Sequence, residues 1–132
     1  MDKVLILIRG VSGAGKSTLA DILTMLPDTK AVAADDYWGP NYDFDPTKLH
    51  IAHHWCQLTA RSYLEDDCSV VVHNTATTER DVNIYKSIAK DHGAKFISII
   101  IENRHGNNSV HNVPEEVRAS QAYKLLNSIK LI

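Results

Sequence analysis

The sequence predicts an α/β domain: a mainly parallel sheet of about four strands in a three-layer α/β/α arrangement. Two observations predict it. Short apolar runs rich in β-branched residues alternate with helical patterns in the order β-α-β-α-β-α-β-α, and that alternation favours parallel strands joined by crossover helices. A glycine-rich stretch, residues 10–17, then lies between the first strand and the first helix, where such folds bind ligands beyond the carboxyl ends of their strands. The 132 residues are 44% hydrophobic and 23% charged. That is enough apolar material for one core, so a single domain spanning 1–132 is expected.

Each element has its own signal. Lys3 to Arg9 reads as a buried strand that stops at glycine. Gly15 to Leu26 reads as a helix, with Leu19, Ile22, Leu23 and Leu26 at helical spacing and Pro27 ending it. Lys30 to Ala34 is a second strand, and Asp35 to Asp45 a loop. Asp45-Pro46 looks like an N-cap followed by proline at the first helical position. The helix it opens runs to about Glu65, its buried stripe formed by Leu49, Ala52, Cys56, Ala60 and Tyr63. Ser69 to His73 is a third strand. Thr78 caps a helix to His92, with Asp81 three residues on and Gly93 closing it. Lys95 to Ile101 is the fourth strand. Glu102 to Val113 is a polar loop, and Pro114 to about Ser128 a last helix.

Charge and composition narrow the function classes. Fourteen Lys and Arg against sixteen Asp and Glu give a formal net charge of −2. Coating nucleic acid or membrane by bulk electrostatics is therefore not expected. The longest early apolar run, Val4 to Ile8, is too short for a signal core or a membrane span. Cys56 and Cys68 show no metal or redox spacing. A cytoplasmic protein with free thiols is expected.

The stretch Gly10-Val11-Ser12-Gly13-Ala14-Gly15-Lys16-Ser17 fits G-x-x-x-x-G-K-[ST]. The glycines let the backbone wrap a phosphate chain and aim N–H groups inward. The helix behind it adds the positive end of its dipole. Lys16 is a point charge for the β- and γ-phosphates, and the Ser17 hydroxyl is a magnesium ligand candidate. Chance alone gives four fixed positions in roughly one of 200 chains of this length. With its strand-and-helix context, the motif defines a P-loop NTPase fold. Gly10, Ser12, Gly13, Ala14, Gly15, Lys16, Ser17 and Thr18 are the candidate nucleotide-binding residues, for ATP with Mg2+.

Chemistry needs more than phosphate binding. Asp35 and Asp36 follow the second strand, so they emerge at the same sheet edge as the phosphate loop. A carboxylate there can accept the proton of an attacking hydroxyl and help hold the metal. Adjacent residues on an irregular segment diverge, so one of the two points inward, and the sequence does not say which. Positive charge over the transferring group is the third requirement. Arg104, in the polar loop after the fourth strand, is the candidate lid cation. His50, His54, Gln57 and Arg61 form a polar stripe on the long helix, either a solvated face or the wall of an acceptor groove.

With these pieces assembled, the chain resembles the kinase domain of bacteriophage-type 5′-polynucleotide kinases and related small P-loop kinases of the AAA-like ATPase class. The resemblance spans nearly the whole chain. It rests on the early phosphate loop, Asp35-Asp36-Tyr37 after the second strand and Asn74-Thr75 after a hydrophobic strand. Lys90-Asp91-His92-Gly93 closing a helix, and the Arg104 loop before Val113-Pro114, complete it. The resemblance implies transfer of the ATP γ-phosphate to a hydroxyl, foremost a 5′-OH of RNA or DNA. It makes Asp35 the general base, Lys16 and Ser17 the phosphate and metal contacts, and Arg104 the lid arginine. The phage enzymes carry an arginine where this chain has Trp38 and an aspartate where it has Asn74.

Asp36, Trp38, Asn74 and Arg61 are the acceptor-side candidates. Trp38 either stacks a base or plugs the core. Two alternatives stand beside the polynucleotide reading. A kinase for a small metabolite, nucleoside or nucleotide suits the near-neutral charge, since a polynucleotide track usually needs clustered cations. A nucleotide-binding switch is the other, although His73-Asn74 replaces the aspartate many switch ATPases place after this strand. No Asn-Lys-x-Asp guanine signature is present. With so short a chain, the acceptor is held by the Asp35–Asp45 loop, the helix after it and the Arg104 loop, or by a second subunit in a homo-oligomer.

Overall fold

The computed structural model describes residues 2–101, apart from 12, 13, 42, 76 and 77. Four parallel strands form one sheet: β1 (Val4–Arg9), β2 (Thr29–Val32), β3 (Ser69–His73) and β4 (Lys95–Ile100), in the spatial order β2-β3-β1-β4. The registers place Leu7 beside Val72 and Ser98, and Val32 beside Val72. Helices α1 (Lys16–Leu23), α2 (Leu49–Glu65) and α3 (Glu79–Asp91) connect the strands. A strand buried on both faces reads as a continuous apolar run. Leu5, Leu7, Ile8, Val70, Val71 and Val72, all on β1 and β3, are fully buried.

The two faces differ in depth. On one face, Leu5, Leu7, Val70 and Val72 meet Cys56, Ala60 and Leu64 of α2 and Tyr85, Ile88 and Ala89 of α3. The small residues of α2 let that helix lie close on the sheet. On the other face, Ile8 and Val71 meet Ala20, with Leu19 and Leu23 packed alongside. The fold class read from the sequence is thus the observed one.

Boundaries shift for local reasons. Helix α1 ends at Leu23, three residues before the expected Leu26. Beyond Thr24 the bonding tightens, with Met25 N–H donating to Ile22 and Leu26 N–H to Leu23, each at 3.1 Å. Ile22 and Leu26 are consequently exposed, and Met25 is 82% exposed. Strand β2 stops at Val32 because Ala34–Trp38 winds into a 3-10 turn inside the expected strand end and loop. Asp45 does cap, with its Oδ1 accepting from the Thr47 backbone N–H at 3.0 Å. The cap opens a 3-10 turn, Pro46–Lys48, before α2 begins at Leu49. Thr78 caps α3 as read, its hydroxyl accepting from Asp81 N–H at 3.2 Å and donating to the Asp81 carboxylate at 2.7 Å. Gly93, at φ +66°, takes the left-handed turn that closes it. The expected final helix, 114–128, lies outside the described residues.

Candidate active site

All four strands run parallel, so their carboxyl ends share one edge. There β1 passes into Gly10, β2 into the Ala34 turn and β3 into Asn74, while the Ile101 N–H donates to the Arg9 carbonyl at 2.8 Å. The N-terminus of α1 opens on the same edge. Gly15 precedes it at φ +102°, a conformation that suits glycine. Among the described residues, no side chain caps this helix and no acidic residue stands in its first turn. A helix N-terminus with uncapped N–H groups is an arrangement that binds an anion. Gly10 is needed for close approach: a Cβ there would meet the Ile101 carbonyl oxygen at 2.9 Å. Ser17 and Thr18 are exposed on the first turn. Ser12 and Gly13 lie outside the described residues. The described part of the loop, Lys16 and the accessible Ser17 hydroxyl fit a nucleoside triphosphate with a divalent ion.

Lys16 folds back over the loop, its Nζ donating to the Gly10 and Val11 carbonyls at 2.9 Å each. Burial lowers its pKa to about 8 from 10.5, and the charge of Asp35 pulls it partly back up. Nucleotide affinity is therefore expected to fall about tenfold from pH 7 to pH 9, as Lys16, the candidate phosphate contact, loses its proton. A titration of ATP binding against pH checks this, and a flat profile would contradict it.

The two aspartates divide. The Asp36 Oδ2 accepts from the Ala33 backbone N–H at 2.9 Å, and Asp36 N–H donates to the Ala33 carbonyl at 3.0 Å. Asp36 therefore locks the 3-10 turn. Asp35 is exposed, and its charge reaches Lys16. His73, ending β3, lies among the same charges. Burial first, and then Lys16, lower its pKa, against Asp36, Asp21 and Asp35, so its imidazole is neutral at neutral pH.

The acceptor-side candidates are placed less openly. Asn74 is only 6% exposed. Its Oδ1 accepts from the Ala34 N–H at 2.7 Å, and its Nδ2 donates to the Tyr85 hydroxyl at 3.2 Å and toward the Cys56 Sγ at 3.5 Å. Both ends of that amide are engaged within the domain. Trp38 is 7% exposed and packs edge-on against Tyr37 and Phe44, at 5.3 and 5.2 Å between ring centroids. That is the plug, not an open stacking face. Tyr37, which touches Trp38 and Trp55, stays accessible beside the carboxylates. Arg61 pairs with Asp91 at the far ends of α2 and α3, at 3.1 Å. It lines an open groove with Arg80, Asn83 and Ser87. Arg104 lies outside the described residues.

A glycine-bearing turn between strand and helix at the carboxyl edge of a parallel sheet, with Lys16 at the helix start, marks a P-loop domain of kinase-like fold. The chain belongs to the AAA domain family (AAA_33), whose model matches residues 5–107. It is 34% identical over 98 residues to human NEDD4-binding protein 2, an alignment covering 71% of this chain and 6% of that protein. Among solved structures it is similar to a chain of the Pnkp1/Rnl/Hen1 RNA repair complex, with TM-score 0.77, 14% identity, and coverage of 96% of this chain and 45% of that one. It is likewise similar to a sugar kinase from Janibacter, with TM-score 0.67, 14% identity, and coverage of 98% and 80%. The APS kinase CysC of Mycobacterium tuberculosis gives TM-score 0.55 at 17% identity, covering 96% of this chain and 99% of that one. At such identities these likenesses establish the fold. Among the described residues, no helix is long and apolar enough to cross a membrane.

Proposed function

We propose that the protein is an ATP-dependent phosphotransferase whose acceptor is the 5′-hydroxyl of RNA or DNA. One observation carries the reading: an exposed carboxylate, Asp35, stands within charge reach of Lys16 at the start of the phosphate-loop helix. ATP would place its phosphates on the Gly10 to Thr18 segment. The acceptor oxygen attacks the γ-phosphorus as the bond to the β,γ-bridging oxygen breaks and ADP leaves; the hydroxyl proton passes to the Asp35 carboxylate. Lys16 offsets charge on the phosphates. A magnesium ion, with the Ser17 hydroxyl and Asp35 as its candidate protein partners, would supply further charge neutralisation when bound. Arg104 is the sequence candidate for the cation that closes over the transferring group. Most of the acceleration comes from positioning and electrostatics.

The likeness to the RNA-repair chain supports a nucleic acid acceptor, and so does the exposure of Asp35 and Tyr37, which leaves room for a large one. The net charge of −2 favours the second reading, a small hydroxylated metabolite or nucleoside. Incubation with γ-labelled ATP, magnesium and either a 5′-OH oligonucleotide, a nucleoside mixture or buffer separates them. Label on the oligonucleotide is the expected result. Label confined to nucleosides would replace it with the second reading, and binding of ATP with no acceptor labelled would favour a nucleotide switch.

A further inference from the structure

The buried polar cluster at the end of β3 ties three elements to the turn that carries Asp35. Val71 and Val72, just before it, are fully buried in the sheet. Asn74 therefore projects from a rigid base. Its Nδ2 side is braced from α3 by the Tyr85 hydroxyl, at 3.2 Å, and from α2 by the Cys56 Sγ, at 3.5 Å. Tyr85 also donates to Cys56 at 3.3 Å, closing the triangle. The other end of the amide takes the Ala34 N–H at 2.7 Å, across 40 positions of sequence. Ala34 immediately precedes Asp35. On the other side of Asp35, Asp36 is fastened to Ala33. The backbone at Asp35 is thus clamped from both sides.

We infer that Asn74 is a positioning residue: by holding the Ala34 amide, it fixes where the Asp35 carboxylate stands relative to the phosphate loop. This deepens the phosphotransfer reading and rests on it. The residue type follows from the chemistry. The site needs an acceptor toward Ala34 and a partner for the Tyr85 hydroxyl, all inside the domain, where an unpaired polar group is costly. Asparagine offers both without a charge. Aspartate keeps the acceptor toward Ala34, and its second oxygen can accept from Tyr85. Alanine offers neither. Small misplacements of a reacting group weigh heavily on rate and lightly on the binding of the other substrate.

The test compares wild type with Asn74→Ala and Asn74→Asp. Ala34 amide exchange, nucleotide Kd, and kcat and KM for the acceptor labelled by the wild type are measured. In N74A the Ala34 amide is expected to exchange at least about tenfold faster. Its kcat is expected to fall about 100-fold, with nucleotide Kd unchanged within about twofold, because the phosphate loop is untouched. N74D is expected to recover most of the kcat. A freed Ala34 amide with wild-type kcat per folded molecule would make Asn74 a stability residue only and overturn the inference. Should N74A fail to fold, Tyr85→Phe carries the test. It removes one brace and is expected to lower kcat about tenfold at unchanged nucleotide Kd; unchanged kcat would overturn the inference equally. A wild type that labels no acceptor sinks the phosphotransfer reading, and the inference with it. An active wild type matched by N74A sinks the inference alone.

Discussion

Replacing Lys16 by alanine is expected to abolish measurable phosphotransfer and to weaken ATP binding at least about 100-fold, while leaving the fold as stable as the wild type or more so. The two halves have one cause. The Lys16 ammonium is partly withdrawn from water, held by two carbonyls of the loop it serves. Its pKa, lowered to about 8 from 10.5, shows that the charged form is disfavoured in the folded protein. At neutral pH that represents a cost on the order of 3 kcal/mol. The unfolded chain binds more protons than the folded one between pH 8 and 10.5, so this group's contribution makes stability rise with pH across that window. Alanine removes the cost. It would also remove the charge-assisted hydrogen bonds that the proposed role gives Lys16 to phosphate, each worth about 1.5–3 kcal/mol. Thermal unfolding and ATP titration of the same variant check the pair. A large drop in Tm with ATP affinity intact would contradict the role assigned to Lys16.

That lysine belongs to the part of the molecule most legible in sequence. A phosphate loop is local: glycines where the backbone must turn or approach closely, a lysine and a hydroxyl at the helix start. Caps are local too, and Asp45 and Thr78 act as their positions imply. Strand order is not local. All four strands read as apolar runs, and nothing in a run of valines says that β3 lies between β2 and β1. The end of α1 was misread because Ile22 and Leu26 keep helical spacing. Spacing records a shared face, and here Ile22 and Leu26 on that face are exposed. The acceptor-side residues were the least legible. Whether the polar residue ending β3 turns outward or inward depends on Tyr85 and Cys56, brought from two other elements. Arg61 meets Asp91 across 30 positions. Trp38 is covered by its own neighbour Tyr37 and by Phe44. For Asn74 and Arg61 the deciding partner is supplied by tertiary packing.

A local turn separates two adjacent carboxylates that sequence could not tell apart, and substitution makes the difference measurable. Asp35→Asn is expected to lower kcat about 100- to 10,000-fold, the usual range for losing a general base. Thermal stability is expected to stay nearly unchanged, since the side chain is exposed. Asp36→Asn is expected to behave in the opposite sense. It loses a charged acceptor for the Ala33 N–H, bonded at 2.9 Å, which costs about 1 kcal/mol of stability. An amide oxygen can still accept that bond, so kcat should fall by no more than about tenfold. Asp35→Asn carries a further signature. The Asp35 charge raises the Lys16 pKa against burial. Without it, Lys16 deprotonates at lower pH, and the alkaline fall in ATP affinity moves below its wild-type position. A structural role for Asp35 would lower Tm and leave that pH profile in place. Its role beside Lys16 requires the reverse: an unchanged Tm, a displaced profile and a lost turnover, all from one oxygen-to-nitrogen exchange.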